Sequence, residues 1–137
     1  METALTVPSD PAAELLGALE LAVVRALWVE APASVRAVLD LVNADRDEPL
    51  AYTSVMTVLD RLHGKGLVAR ERQGRAYHYA PVHEDEHALV QHLGRREVDD
   101  LVARLGDVAL VEFAARLHEL DPATREALQR LAEQHDG

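Results

Sequence analysis

At 137 residues, with 48% apolar and only 4% aromatic content, the chain has room for one domain, or a small domain with an oligomerisation extension, and its core must be built mainly from Leu, Val and Ala. The lack of cysteine excludes disulfides, thiolate chemistry and Cys-ligated zinc or copper. Apolar runs as short as Val108–Val111 give neither a membrane span nor a leader, so a cytoplasmic protein without membrane attachment is expected.

A net charge of −10 argues at first against a polyanionic partner, but its distribution matters more than its sum. Residues 1–83 hold 8 Lys/Arg against 11 Asp/Glu, whereas residues 84–137 hold 6 against 13. Between 61 and 79, Arg61, Lys65, Arg70, Arg72 and Arg75 face Glu71 alone. Such a basic island in an acidic chain suits a small reader of nucleic acid.

Residues 1–13, with Pro8, Asp10 and Pro11 and little periodicity, predict a flexible N-terminal arm. From Glu14 the stripe Leu15, Leu16, Leu19, Val23, Ala26 and Leu27 predicts a helix ending at Trp28, before Pro32. Ser34 is the expected N-cap of a second helix that turns Val35, Val38, Leu39 and Val42 inward, and the polar stretch Asp45–Pro49 stops it. A third helix is expected from Thr53, as N-cap, to about Gly64, with Val55, Val58, Leu59 and Leu62 buried and a glycine supplying the left-handed C-cap. Strands Leu67–Arg72 and Arg75–Ala80, split by Gln73-Gly74, then predict a tight hairpin. The fold class is therefore mainly α with a small β-hairpin, a winged helix-turn-helix over 14–82. A helical dimerisation region over 83–137 should follow, with helices near Asp85–Leu105, Val108–Glu119 and Pro122–Gln134.

The inward face of the third helix fixes its outward one. Thr53, Ser54, Thr57 and Arg61 lie opposite the core positions, with Met56, Asp60 and Gly64 nearby. Short hydroxyl side chains at a helix N-terminus can approach phosphates and base edges, and Arg61 can reach guanine or phosphate. Tyr52, Lys65, Arg72 and Arg75 complete the candidate DNA-binding set, the last two flanking the hairpin turn beside the backbone. Edge-strand charges also discourage aggregation, which explains charge but not one sign. Tyr77 and Tyr79 share a strand face and are expected to pack rather than stack on bases. Further along, Leu89, Leu93, Leu101, Val102, Leu105 and Val111 belong to an apolar set too large for one monomer to hide, so a homodimer is expected.

Particular motifs carry a family likeness. The stretch Leu50–Val68, Gly17-Ala18-Leu19-Glu20 leading to Leu27-Trp28, Val35-Arg36-Ala37-Val38, and Gly74-Arg75-Ala76-Tyr77-His78-Tyr79 together resemble the penicillinase-repressor family over about residues 15–82. The resemblance implies a repressor whose dimer sets two recognition helices into a palindromic double-stranded DNA operator. It also implies release when a membrane sensor triggers proteolysis in the dimerisation region. Copper-responsive relatives carry a C-terminal cysteine cluster, which this chain lacks.

Other readings are weaker. His78, His83, His87 and His92 gather between wing and fourth helix, and a metal or effector site there would make a ligand-responsive regulator; exposed histidines are the commoner outcome, and no metal or cofactor is expected. No phosphate loop, nucleophile motif or HExxH supports an enzyme. A protein-interaction module on a winged helix remains the non-DNA alternative, and salt separates the two, because phosphate binding weakens steeply with added salt.

Overall fold

The computed structural model describes residues 10–135. The described residues divide after Gly94 into two compact units, residues 10–94 and residues 95–135. Residues 1–9 of the expected arm lie outside the described residues. Asp10 caps α1 (Pro11–Leu15), and Ala12 is fully buried. Residues 11–13, expected in the flexible arm, are thus helical, because an Asp-Pro start needs no long apolar stripe to begin a helical turn.

The expected single first helix is two. Gly17 is extended and separates α1 from α2 (Ala18–Val29), which carries Leu21, Val23, Val24 and Leu27 into the core. Ser34 caps α3 (Val35–Asn43) as expected, its hydroxyl accepting from the Ala37 N–H at 3.1 Å. The loop that follows is closed by Asn43, whose side chain accepts from the Leu50 N–H at 2.8 Å and donates to the Leu50 carbonyl. Helix α4 (Tyr52–Gly64) starts one position earlier than its first hydroxyl residue: Ala51, not Thr53, is the N-cap. Thr53 thus sits inside the first turn.

Gly66 ends α4 and aims the wing. Its φ of 77° lets its N–H reach the His63 carbonyl while the Leu67 N–H reaches Leu62, and Leu62 and Leu67 pack at the joint. Strands β1 (Val68–Gln73) and β2 (Ala76–Pro81) pair antiparallel, with Arg70 opposite Tyr79 and Arg72 opposite Tyr77. The tight loop is Gly74-Arg75 rather than Gln73-Gly74, with Gly74 at φ 64°. Arg75 consequently sits in the turn itself, and Arg72 one pair inside the strand. Ala33 adds a single bridge to Tyr79, its N–H and carbonyl both bonded to that residue's backbone at 2.9 and 2.8 Å.

Helix α5 (Glu86–Leu105) begins within the first unit and runs into the second. Leu89, expected at a dimer interface, is 1% exposed and part of the winged-helix core, with Leu93 half-buried against the same cluster. The first turns of α5 complete that core, so these two leucines are spent within the chain. Arg25 of α2 fastens this corner, donating to Glu86 at 2.9 Å and to Asp10 at 3.2 Å. The second unit contains the rest of α5, then α6 (Asp107–Glu119) and α7 (Pro122–Glu133). Asp121 caps α7 as expected: its carboxylate accepts from the Thr124 N–H and hydroxyl, and these bonds hold its pKa below the ordinary value. Among the described residues of this unit only Ala109 is buried. Among the described residues no helix is long and apolar enough to cross a membrane.

Candidate nucleic-acid interface

The period of α4 sorts its residues into three stripes. Val55, Val58, Leu59 and Leu62 are buried. Thr53, Thr57 and Arg61, each one turn beyond the last, form an exposed outer ridge, with Ser54 half-buried beside it. Tyr52, Met56, Asp60 and His63 form the stripe toward the wing and line an open groove of about 690 Å³ between α4, the start of α3 and the hairpin.

Cations rim this groove. Arg36 of α3 lies over the Tyr52 ring at 5.5 Å, and Arg70 and Arg72 lie over the Tyr77 ring at 4.3 and 5.7 Å. Arg70 also donates to the Asp60 carboxylate at 3.1 Å, tying the wing to α4. Hydrogen bonding to Tyr79 raises its pKa above the ordinary value, so it stays a cation at any ordinary pH. Arg70 is thus a positioning residue, fixing where the hairpin stands beside α4. Among the described residues the guanidinium groups of Arg61 and Arg75 form no hydrogen bond or ion pair, and both residues are exposed. Arg72 is exposed too, its Nε donating to the Gly74 carbonyl at 3.4 Å.

Two members of the expected set are otherwise engaged. Lys65 donates to the buried Glu20 carboxylate at 2.9 Å. Glu20 is 7% exposed and also accepts from the Gly17 N–H, so an unpaired carboxylate there would be costly. The charge of Lys65 therefore helps hold α2 to the end of α4 rather than standing free. The Thr57 hydroxyl donates to the Thr53 carbonyl at 2.9 Å, leaving its oxygen to accept and its methyl to pack. Phosphate oxygens only accept, so hydroxyl donation from this ridge falls to Thr53 and Ser54.

Sequence reasoning underrated the wing-side stripe. Tyr79 is core, 2% exposed, as expected of a packing residue, but Tyr77 is exposed and serves as a platform for two guanidinium groups. Met56, Asp60 and Arg36 also belong to the groove. The spacing of Tyr52, Met56, Asp60 and His63 by four, four and three was a readable signal. The role of Arg36 was not, because it depends on how α3 crosses α4.

Among the described residues no cluster of three or more His, Asp or Glu side chains could hold a metal. The His83 and His92 rings instead stack at 4.6 Å, and the Trp28 indole N–H donates to the His83 carbonyl at 2.8 Å. Burial first, and then the charge of His92, pushes the His83 pKa below its ordinary 6.5. The folded protein therefore binds this proton less readily than the unfolded chain. Stability from this group is complete above pH 6.5 and falls as pH drops from there toward the lowered value. Urea midpoints between pH 8 and pH 5 should show a smaller acid loss in His83→Gln than in the parent chain; equal losses would contradict the assignment.

Helix α4 with its exposed hydroxyl and arginine ridge, flanked by an arginine-edged hairpin on a helical core, defines a winged-helix protein. The penicillinase repressor family model matches residues 16–134. The chain is 45% identical over 129 residues to the transcriptional regulator BlaI of Mycobacterium tuberculosis, covering 88% of this chain and 87% of that one. It belongs to the penicillinase repressor family, whose members regulate transcription rather than catalyse a reaction. Among solved structures, similarity extends to BpsR of Bordetella bronchiseptica, at 20% identity and a TM-score of 0.45 over 94% of this chain and 83% of that one. The transcriptional regulator Tm0710 of Thermotoga maritima is similar at 15% identity and the same TM-score, 0.45, over 93% of this chain and 87% of that one.

Proposed function

We propose that the chain represses transcription by binding a palindromic double-stranded DNA operator as a homodimer. The observation that carries this reading is the pair of unengaged guanidinium groups, Arg61 on the ridge of α4 and Arg75 at the wing tip. An arginine in the major groove reads guanine through two parallel hydrogen bonds, while one on the wing meets backbone. Thr53 and Ser54, in the first turn of α4, add hydroxyl donors where the helix dipole favours phosphate. Tyr52 and Arg72 extend the same surface, whereas the charge of Lys65 is balanced by Glu20.

The homodimer rests on the second unit. Val108, Leu110, Val111 and Phe113 of α6 are exposed, and Leu105 with them, while Leu101 and Val102 are half-buried. A unit with almost no interior of its own gains one by pairing with a second copy. Release by a sensor-linked protease follows from the family resemblance.

Recovery of preferred duplexes from a random pool tests the proposal. A two-fold symmetric site is expected, with log affinity falling linearly in log salt at a slope of about −0.9 per phosphate contacted. An asymmetric site would overturn the paired arrangement. Salt-insensitive binding would overturn DNA recognition in favour of an apolar protein contact.

A further inference from the structure

We infer that Met56 is a specificity residue that reads the C5-methyl group of a thymine in the major groove. The inference rests on the proposed DNA recognition and names one base that it selects. Met56 is 39% exposed, although α4 has a complete buried face without it. It stands one turn after Tyr52 and one turn before Asp60, on the wing-side stripe, and opens into the groove between α4 and the hairpin.

The surroundings of Met56 define what it can meet. Arg36 covers the Tyr52 ring, and Arg70 is held by Asp60 and covers the Tyr77 ring, so both walls of the groove are fixed by charged contacts. Arg36 supplies positive charge for the phosphate backbone on one wall, the charge of Arg70 on the other is balanced by Asp60, and the thioether between them offers no hydrogen bond of consequence. An apolar side chain on a DNA-facing helix finds its best partner among the major-groove edges in the thymine methyl, the largest apolar group displayed there. Methionine suits this role because its unbranched, polarizable chain adapts to the position of the methyl group. The Thr57 methyl, freed by the back-bond of its hydroxyl to Thr53, lies on the adjoining ridge and extends the apolar strip.

Replacing thymine by deoxyuridine removes the methyl and keeps every hydrogen-bonding group. Each thymine of the recovered site is replaced singly and affinity is measured for the parent chain, Met56→Ala and Met56→Leu. The parent chain is expected to lose about fourfold at one thymine, the worth of one buried methyl-sized group. Met56→Ala should bind the thymine and deoxyuridine duplexes alike at that position, and Met56→Leu should keep the preference. Two outcomes overturn the inference: no thymine sensitive to its methyl, or a preference that survives in Met56→Ala. If the parent chain binds no duplex at all, the underlying DNA reading fails with it, an outcome recognisable because random-duplex binding is lost too.

Discussion

Val111→Asp is expected to leave the chain monomeric in light scattering and to weaken operator binding by about 10²- to 10⁴-fold, the range that joining two binding modules contributes. Val111 is 63% exposed on α6, so the substitution leaves the single chain's own packing untouched. In a paired unit the same position loses its aliphatic contact and gains a carboxylate whose desolvation nothing offsets. Burying what remains exposed of Val108, Val111 and Phe113 against a second copy contributes roughly 1–2 kcal/mol per side chain, which in sum opposes the cost of association. Helicity by circular dichroism should be unchanged at high concentration. Random-duplex binding should fall far less than operator binding, since one winged helix keeps its phosphate contacts. A monomer that still binds the operator tightly would refute the paired arrangement.

Arg61→Ala and Arg75→Ala should separate reading from holding. Arg61 projects from the outer ridge of α4 one turn beyond Thr57, where a recognition helix meets base edges. Its loss removes a bidentate donor worth about 1–3 kcal/mol of discrimination, or roughly 5- to 150-fold on the preferred duplex. Binding to random duplexes should change little. Arg75 sits in the hairpin turn after Gly74, whose φ is 64°; in the proposed complex a wing contact of this kind is to backbone. Its loss should weaken all duplexes about equally and reduce the magnitude of the salt slope by about 1. The measurement is a pair of salt titrations for each variant, on the recovered site and on a random duplex. Identical behaviour of the two variants would contradict the division of roles.

Much of this molecule is legible in its residue pattern. Ser34 and Asp121 are side-chain caps read directly from their neighbours, and the core stripes of α3 and α4 follow from the helical period alone. Where local signals compete, the pattern slips by a residue or two. Thr53 looks like an N-cap, but Ala51 takes that position because the chain is already helical at Tyr52. The hairpin turn shifts to Gly74-Arg75 because the strand register pairs Gln73 with Ala76. Gly17 splits a continuous apolar stripe into two helices, since periodicity continues through a break that the backbone does not.

The chain order alone thus specifies a helical domain with a hairpin and an arginine island centred on residues 61–75, because helix caps, periods and turns depend on neighbours within a few positions. It does not specify which of those cations are available. Lys65 is claimed by Glu20, 45 residues away, and Arg70 by Asp60 across the wing, while Arg61 and Arg75 are left exposed. Leu89 joins the interior for the same reason, through contacts with elements far from it in the chain. Short-range physics decides what each segment becomes; ion pairing and burial depend on distances in space, and those exist only after the segments have packed.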